Sequence, residues 1–115
     1  MSQYIDLTYL HEISGGDAFI VKKTVEKFLE STPGILEKMT LHLQEEDYPE
    51  LGKAAHKLKS SVAYMGIDSL RETILALEHS AKNQTNLAQV PGLVAEVHEV
   101  LQAAYGELRA AIAAL

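Results

Sequence analysis

The sequence predicts an all-α domain, an antiparallel four-helix bundle with a short additional helix at its N-terminus. Three observations lead there. Apolar residues recur at spacings of three and four through almost the whole chain, and sustained period-two alternation is missing. Glycine, proline and capping residues cut that pattern into helix-sized segments joined by short links. With 115 residues, 47% of them hydrophobic, the chain has the size of one domain over residues 1–115 and can bury one core.

The first, short helix is expected over Asp6 to Ile13, ending at Gly15 and Gly16, because glycine accepts the left-handed conformation that ends helices. The next runs from about Asp17 to Glu30, with Phe19, Ile20, Val25, Phe28 and Leu29 along an apolar stripe. Ser31 and Thr32 ahead of Pro33 read as a restart: a hydroxyl can cap free backbone N–H groups, and proline lacks the N–H that a first turn leaves unpaired. A third helix is therefore placed at Pro33 to Glu46. Asp47, before Tyr48 and Pro49, repeats the logic and opens a fourth helix to about Met65, which Gly66 ends. Asp68 is expected to cap a fifth through Ala81. KNQTNLAQ is polar and aperiodic and reads as a loop, and Pro91 opens a last, alanine-rich helix to about Ala114. The short helix is expected to cap one end of the bundle, and part of the last helix to extend beyond it.

Composition narrows the function. The chain has no cysteine, which removes disulfides, thiolate catalysis and cysteine zinc sites. A net charge of −6 argues against broad nucleic-acid binding, which needs a basic face. No apolar run approaches the roughly 18 residues of a membrane span. The start, MSQYIDLTYLHE, does not read as a signal peptide, so a cytoplasmic protein is expected.

The fourth helix holds the chemistry. On a wheel of about 100° per residue, Leu51, Ala55, Leu58, Val62 and Met65 form one seam toward the core. His56 lies roughly 200° from Leu58, on the opposite side. Its neighbours at helical spacing are Gly52, Lys53, Lys59, Ser60 and Ala63, small side chains with two positive charges. An ordinary solvent-facing imidazole titrates near about 6.5, so a neutral, nucleophilic fraction exists at neutral pH. Lys59, one turn on, can donate to an anionic group attached to the ring. The small neighbours leave room for a donor carried by another protein.

AAHKLKSSVAYMG, residues 54–66, resembles the signature of histidine-containing phosphotransfer (HPt) domains: a histidine, lysine three residues on, small residues, and glycine at ten. Here these are His56, Lys59, Ser60, Ser61 and Gly66. FLESTPGILEKM, DYPELGKAAHKLK and IDSLRETILALE extend the likeness over about residues 15–80. The resemblance implies a four-helix bundle that accepts a phosphoryl group from an aspartyl phosphate of a response-regulator receiver domain and passes it to another. It implies His56 as phosphoacceptor through Nε2 and Lys59 as the residue that steadies the phosphoryl group. Gly52, Lys53, Ser60 and Ala63 are expected to meet the partner. Ser60 stands where the family usually has glycine. Glu78 falls where some members carry a polar residue that hydrogen-bonds the imidazole, but the type varies there, and Glu78 is not counted in the site.

The resemblance implies no bound cofactor; Mg²⁺ belongs to the receiver. No Gly-rich nucleotide loop suggests kinase or ATPase activity, and no metal site is expected. Receiver domains, and a hybrid histidine kinase, are the implied partners, met as a monomer through small interfaces. The start at Met1 favours a free-standing protein. His11, His42, His79 and His98 are expected to be structural or solvated. The alternative is a helical binding module that sequesters a receiver or another signalling partner without accepting phosphate.

Overall fold

The computed structural model describes residues 3–115; Met1, on which the free-standing expectation leans, lies outside them. Five α-helices follow in order: α1 Thr8–Ile13, α2 Ala18–Gln44, α3 Tyr48–Tyr64, α4 Arg71–Asn83 and α5 Val90–Ala113. Single 3₁₀ turns at Asp68–Leu70 and Leu87–Gln89 lead into α4 and α5, and no strand occurs among the described residues.

The main difference from the sequence reading is at Ser31-Thr32-Pro33. The expected break between Glu30 and Pro33 is corrected: α2 runs through all three residues, with Pro33 inside it. An interior proline removes one backbone hydrogen bond and crowds the preceding turn. The hydroxyls before it turn backward instead of capping forward. Ser31 Oγ donates to the Lys27 carbonyl at 2.8 Å and Thr32 Oγ1 lies 2.7 Å from the Phe28 carbonyl. Thr32 also meets the Tyr105 hydroxyl of α5 at 2.7 Å in the core. Val21, Val25, Phe28, Thr32, Leu36 and Met39 make one unbroken buried stripe across the proline. Packing along that stripe outweighs the local cost, and merging the two segments leaves four long helices.

The caps divide. Asp17 accepts from the backbone N–H of Phe19 and Ile20, and Asp47 accepts from that of Glu50, opening α2 and α3. Asp68 makes no cap hydrogen bond; it sits in the 3₁₀ turn, and α4 starts at Arg71. Helix α4 also continues two residues past Ala81, until Gln84 turns left-handed.

Side-chain pairs show the helix directions. Thr32 meets Tyr105 and Thr40 meets His98, so α2 and α5 run antiparallel. Thr73 pairs with Glu96 and Ser80 with Gln89, which gives the same for α4 and α5. The helices pack in the ring order α2, α3, α4, α5. Their inner faces, including Leu36, Met39, Leu51, Leu58, Leu77 and Leu101, form one buried core.

Because α2 and α5 outrun α3 and α4, the N-terminal segment fills the open end. The amides of Tyr4 and Ile5 donate to Glu107 Oε1 at 2.9 and 3.2 Å, and Asp6 N donates to the Met65 carbonyl. Burial pushes the Glu107 carboxyl up, but backbone donors of the N-terminal segment, from Tyr4, Ile5 and Gln3, help to hold the group below its ordinary value. A depressed carboxylate contributes stability above its unfolded titration range and loses it as pH falls through the folded value. Protection of the Tyr4 and Ile5 amides against hydrogen exchange should therefore persist through the ordinary glutamate range and fall as pH drops below it, while that of the α5 core amides persists; equal loss at both places would show that Glu107 does not hold the segment.

Gly66 is where this segment presses closest. It has φ 66°, and a Cβ there would overlap the Asp6 carbonyl. Gly66→Ala should cost about 1–2 kcal/mol from left-handed strain alone, and more from displacing Asp6. Thermal denaturation checks it, and an unchanged midpoint would contradict this packing.

Candidate functional site

The seam residues Leu51, Ala55, Leu58, Val62 and Met65 are all buried. That rotation turns His56 outward, with 69% of its side chain exposed. Helix α4 lies antiparallel along α3, and Gly52 sits buried between them. A Cβ at Gly52 would meet Ala81 Cβ and Lys82 N at 3.6 Å. Gly52 was expected on the open partner-facing surface. That placement is corrected: its missing side chain faces α4, and it forms the inner wall of a shallow depression beside His56. Lys53, Ser60 and Ala63 are exposed, and Lys53 pairs with Glu50 Oε1 at 3.0 Å. Lys82 adds a third lysine to the rim of the depression, beside Lys53 and Lys59.

The close approach of α4 brings Glu78 to the imidazole. Its Oε2 lies 2.6 Å from His56 Nδ1, and its Oε1 lies 3.2 Å from Lys59 Nζ. An ionised carboxylate can only accept, so Nδ1 carries the proton and donates. Nε2 is then the nitrogen with the free lone pair. Burial pushes the Glu78 carboxyl up, but the hydrogen bonds from His56 and Lys59, with the lysine's charge, bring it below its ordinary value. It therefore remains anionic throughout the range in which an imidazole normally titrates.

Glu78 is the residue that sequence reasoning left out. Its side chain is only 20% exposed, at the seam between α3 and α4. The signal available in the sequence was the family resemblance, which puts a polar residue that hydrogen-bonds the imidazole at this position and was set aside because the residue type varies there. That it faces residue 56 depends on how the two helices are aligned.

The other histidines do not converge on this place. His98 Nε2 lies 2.9 Å from Thr40 Oγ1, and His79 Nδ1 lies 3.1 Å from Asn83 Nδ2. No three metal-ligating side chains cluster among the described residues. Tyr64 is half-exposed and stacks on Tyr9 of α1, while Tyr48 packs against the core. No helix among the described residues is long and apolar enough to cross a membrane.

The chain is thus an antiparallel helical bundle in which the His56 imidazole faces outward, held at Nδ1 by Glu78 and flanked by the Lys59 ammonium. The Hpt domain family model matches residues 23–115, and the chain belongs to that family. Its members take part in phosphorelay signalling and interact with receiver domains and kinases. No curated protein and no solved structure matches the chain.

Proposed function

We propose that this chain is a phosphorelay carrier that accepts a phosphoryl group on His56 Nε2 from the aspartyl phosphate of one receiver domain and passes it to another. The observation that carries the reading is the pairing of His56 Nδ1 with Glu78, which leaves Nε2 as the nucleophilic nitrogen on an exposed ring. In the forward step the Nε2 lone pair attacks phosphorus, an N–P bond forms, and the P–O bond to the aspartate breaks. The aspartate leaves as a carboxylate. The Nδ1 proton remains on the ring, which becomes positive, and Glu78 balances that charge across the 2.6 Å hydrogen bond. Lys59 balances charge on the phosphoryl oxygens. Transfer onward reverses these events on a second aspartate.

The chain acts as a covalent intermediate without kinase or ATPase activity of its own, in the cytoplasm and as a monomer. Lys53, Lys59 and Lys82 around the ring suit the acidic phosphorylation site of a receiver, although the whole chain is negative. Incubation with a phosphorylated receiver tests the reading: an acid-labile adduct should appear on this chain as the receiver loses its label. No adduct with any competent receiver would refute it.

Ser60 is exposed and one turn from His56. Ser60→Tyr should change stability by less than about 0.5 kcal/mol and slow transfer by about tenfold or more through crowding of the approach. Parallel melting curves and transfer time courses check both. Lost stability would contradict the assignment of this face, and unaltered transfer would place the donor elsewhere.

A further inference from the structure

Glu78 uses its two oxygens on two different donors, His56 at Oε2 and Lys59 at Oε1. The members of this triad differ in freedom. Glu78 is 20% exposed against α3, whereas the Lys59 side chain is 39% exposed on a flexible four-carbon stem. The carboxylate is the fixed partner and the ammonium the mobile one. Resting on the phosphotransfer reading, we infer that Glu78 and the transferred phosphoryl group hold Lys59 in turn. The carboxylate keeps the ammonium while His56 is unmodified; phosphorylation draws it to the phosphoryl oxygens, and Glu78 retains the Nδ1 proton.

Charge drives the exchange. A phosphoryl group on Nε2 brings a charge of about −1.5 to −2 and three acceptor oxygens, against one charge on the carboxylate. Lys59 stands one turn from His56 on the same helix, so either acceptor is within its reach. A partly exposed lysine–carboxylate pair is weak and gives way easily. On its other oxygen Glu78 gains what it loses: formation of the N–P bond makes the ring positive, and a neutral donor at Nδ1 becomes a charged one. The resting site thus stores its lysine as an ion pair beside the ring, and the same lysine becomes a phosphoryl ligand without any movement of the helices.

Phosphoramidate, a small phosphoryl donor, tests this without a receiver. Attack by Nε2 forms the N–P bond as the P–N bond of the reagent breaks, and ammonia leaves with its electron pair. The ¹³C signal of the Glu78 carboxyl and the ³¹P signal of the adduct are compared between the wild-type chain and Lys59→Met, before and after phosphorylation. In the unmodified protein Lys59→Met should displace the Glu78 signal. In the phosphorylated protein that displacement should be lost, and the ³¹P signal should move instead. Equal displacement of Glu78 in both states, or a ³¹P signal indifferent to Lys59→Met, overturns the exchange and leaves His56 phosphorylation standing. Failure of the wild-type chain to form the adduct, or its equal formation in His56→Gln, overturns the phosphotransfer reading and the exchange with it.

Discussion

His56→Gln should abolish phosphoryl acceptance, lowering labelling from a phosphorylated receiver at least about a hundredfold, to background. An amide nitrogen has its lone pair committed to the carbonyl and is not a nucleophile, so nothing on the glutamine replaces Nε2. The fold should be unaffected, because the side chain is 69% exposed; such a surface change is worth less than about 0.5 kcal/mol. Glutamine is also of similar length and can still donate to Glu78, so the α3–α4 seam keeps its shape. Label that persisted would lie on another side chain, His11, His42, His79 and His98 among the candidates, and mapping it would move the acceptor. Receiver binding by the variant separates the two rival readings. A relay carrier loses its cellular output with the label, whereas a sequestering module keeps binding and output alike.

Leu58→Asp carries the largest expected cost in stability. Leu58 is fully buried at the centre of the α3 seam. Losing its apolar contact removes about 1.5–3 kcal/mol, and an unpaired carboxyl in that place adds a desolvation penalty of similar size or more. A total beyond about 4–5 kcal/mol approaches the whole stability of a small domain, about 5–15 kcal/mol. The variant should lose its cooperative thermal transition or show it far below that of the wild type. Leu58→Ala, with an expected cost of about 2–5 kcal/mol, separates the lost packing from the buried charge. A harmless Leu58→Asp would mean that α3 is rotated and that His56 faces the core.

Both results depend on the rotation of a single helix, and that rotation was legible in the sequence. The five apolar residues from Leu51 to Met65 step by four, three, four and three, so they select one face, and His56 then has to lie on the other. Helix ends were legible where the signal is chemical and local. Asp47 caps as its type suggests, and Gly66 takes the left-handed conformation.

Local signals misled where two structures compete for the same residues. Ser31, Thr32 and Pro33 suit a helix start, yet they suit the interior of α2 once Thr32 bonds to Phe28 and Tyr105. Tyr105 is 73 residues away, and no window around the proline contains it. The continuous stripe from Val25 to Met39 was in the sequence all along and carried the better information, because burial is summed over many residues while a cap is a single bond.

By itself the sequence determined an all-helical bundle, the inward and outward faces of α3, and one histidine placed where an imidazole can react. These follow from periodicity and residue type, which are properties of neighbours along the chain. The tertiary structure alone decided that α2 is one helix, that Gly52 is an inner wall, and that Glu78 takes both His56 Nδ1 and Lys59. Each of these requires the alignment of one helix against another. That alignment is set by how whole faces pack, so residue 78 meets residue 56 only after the core has formed.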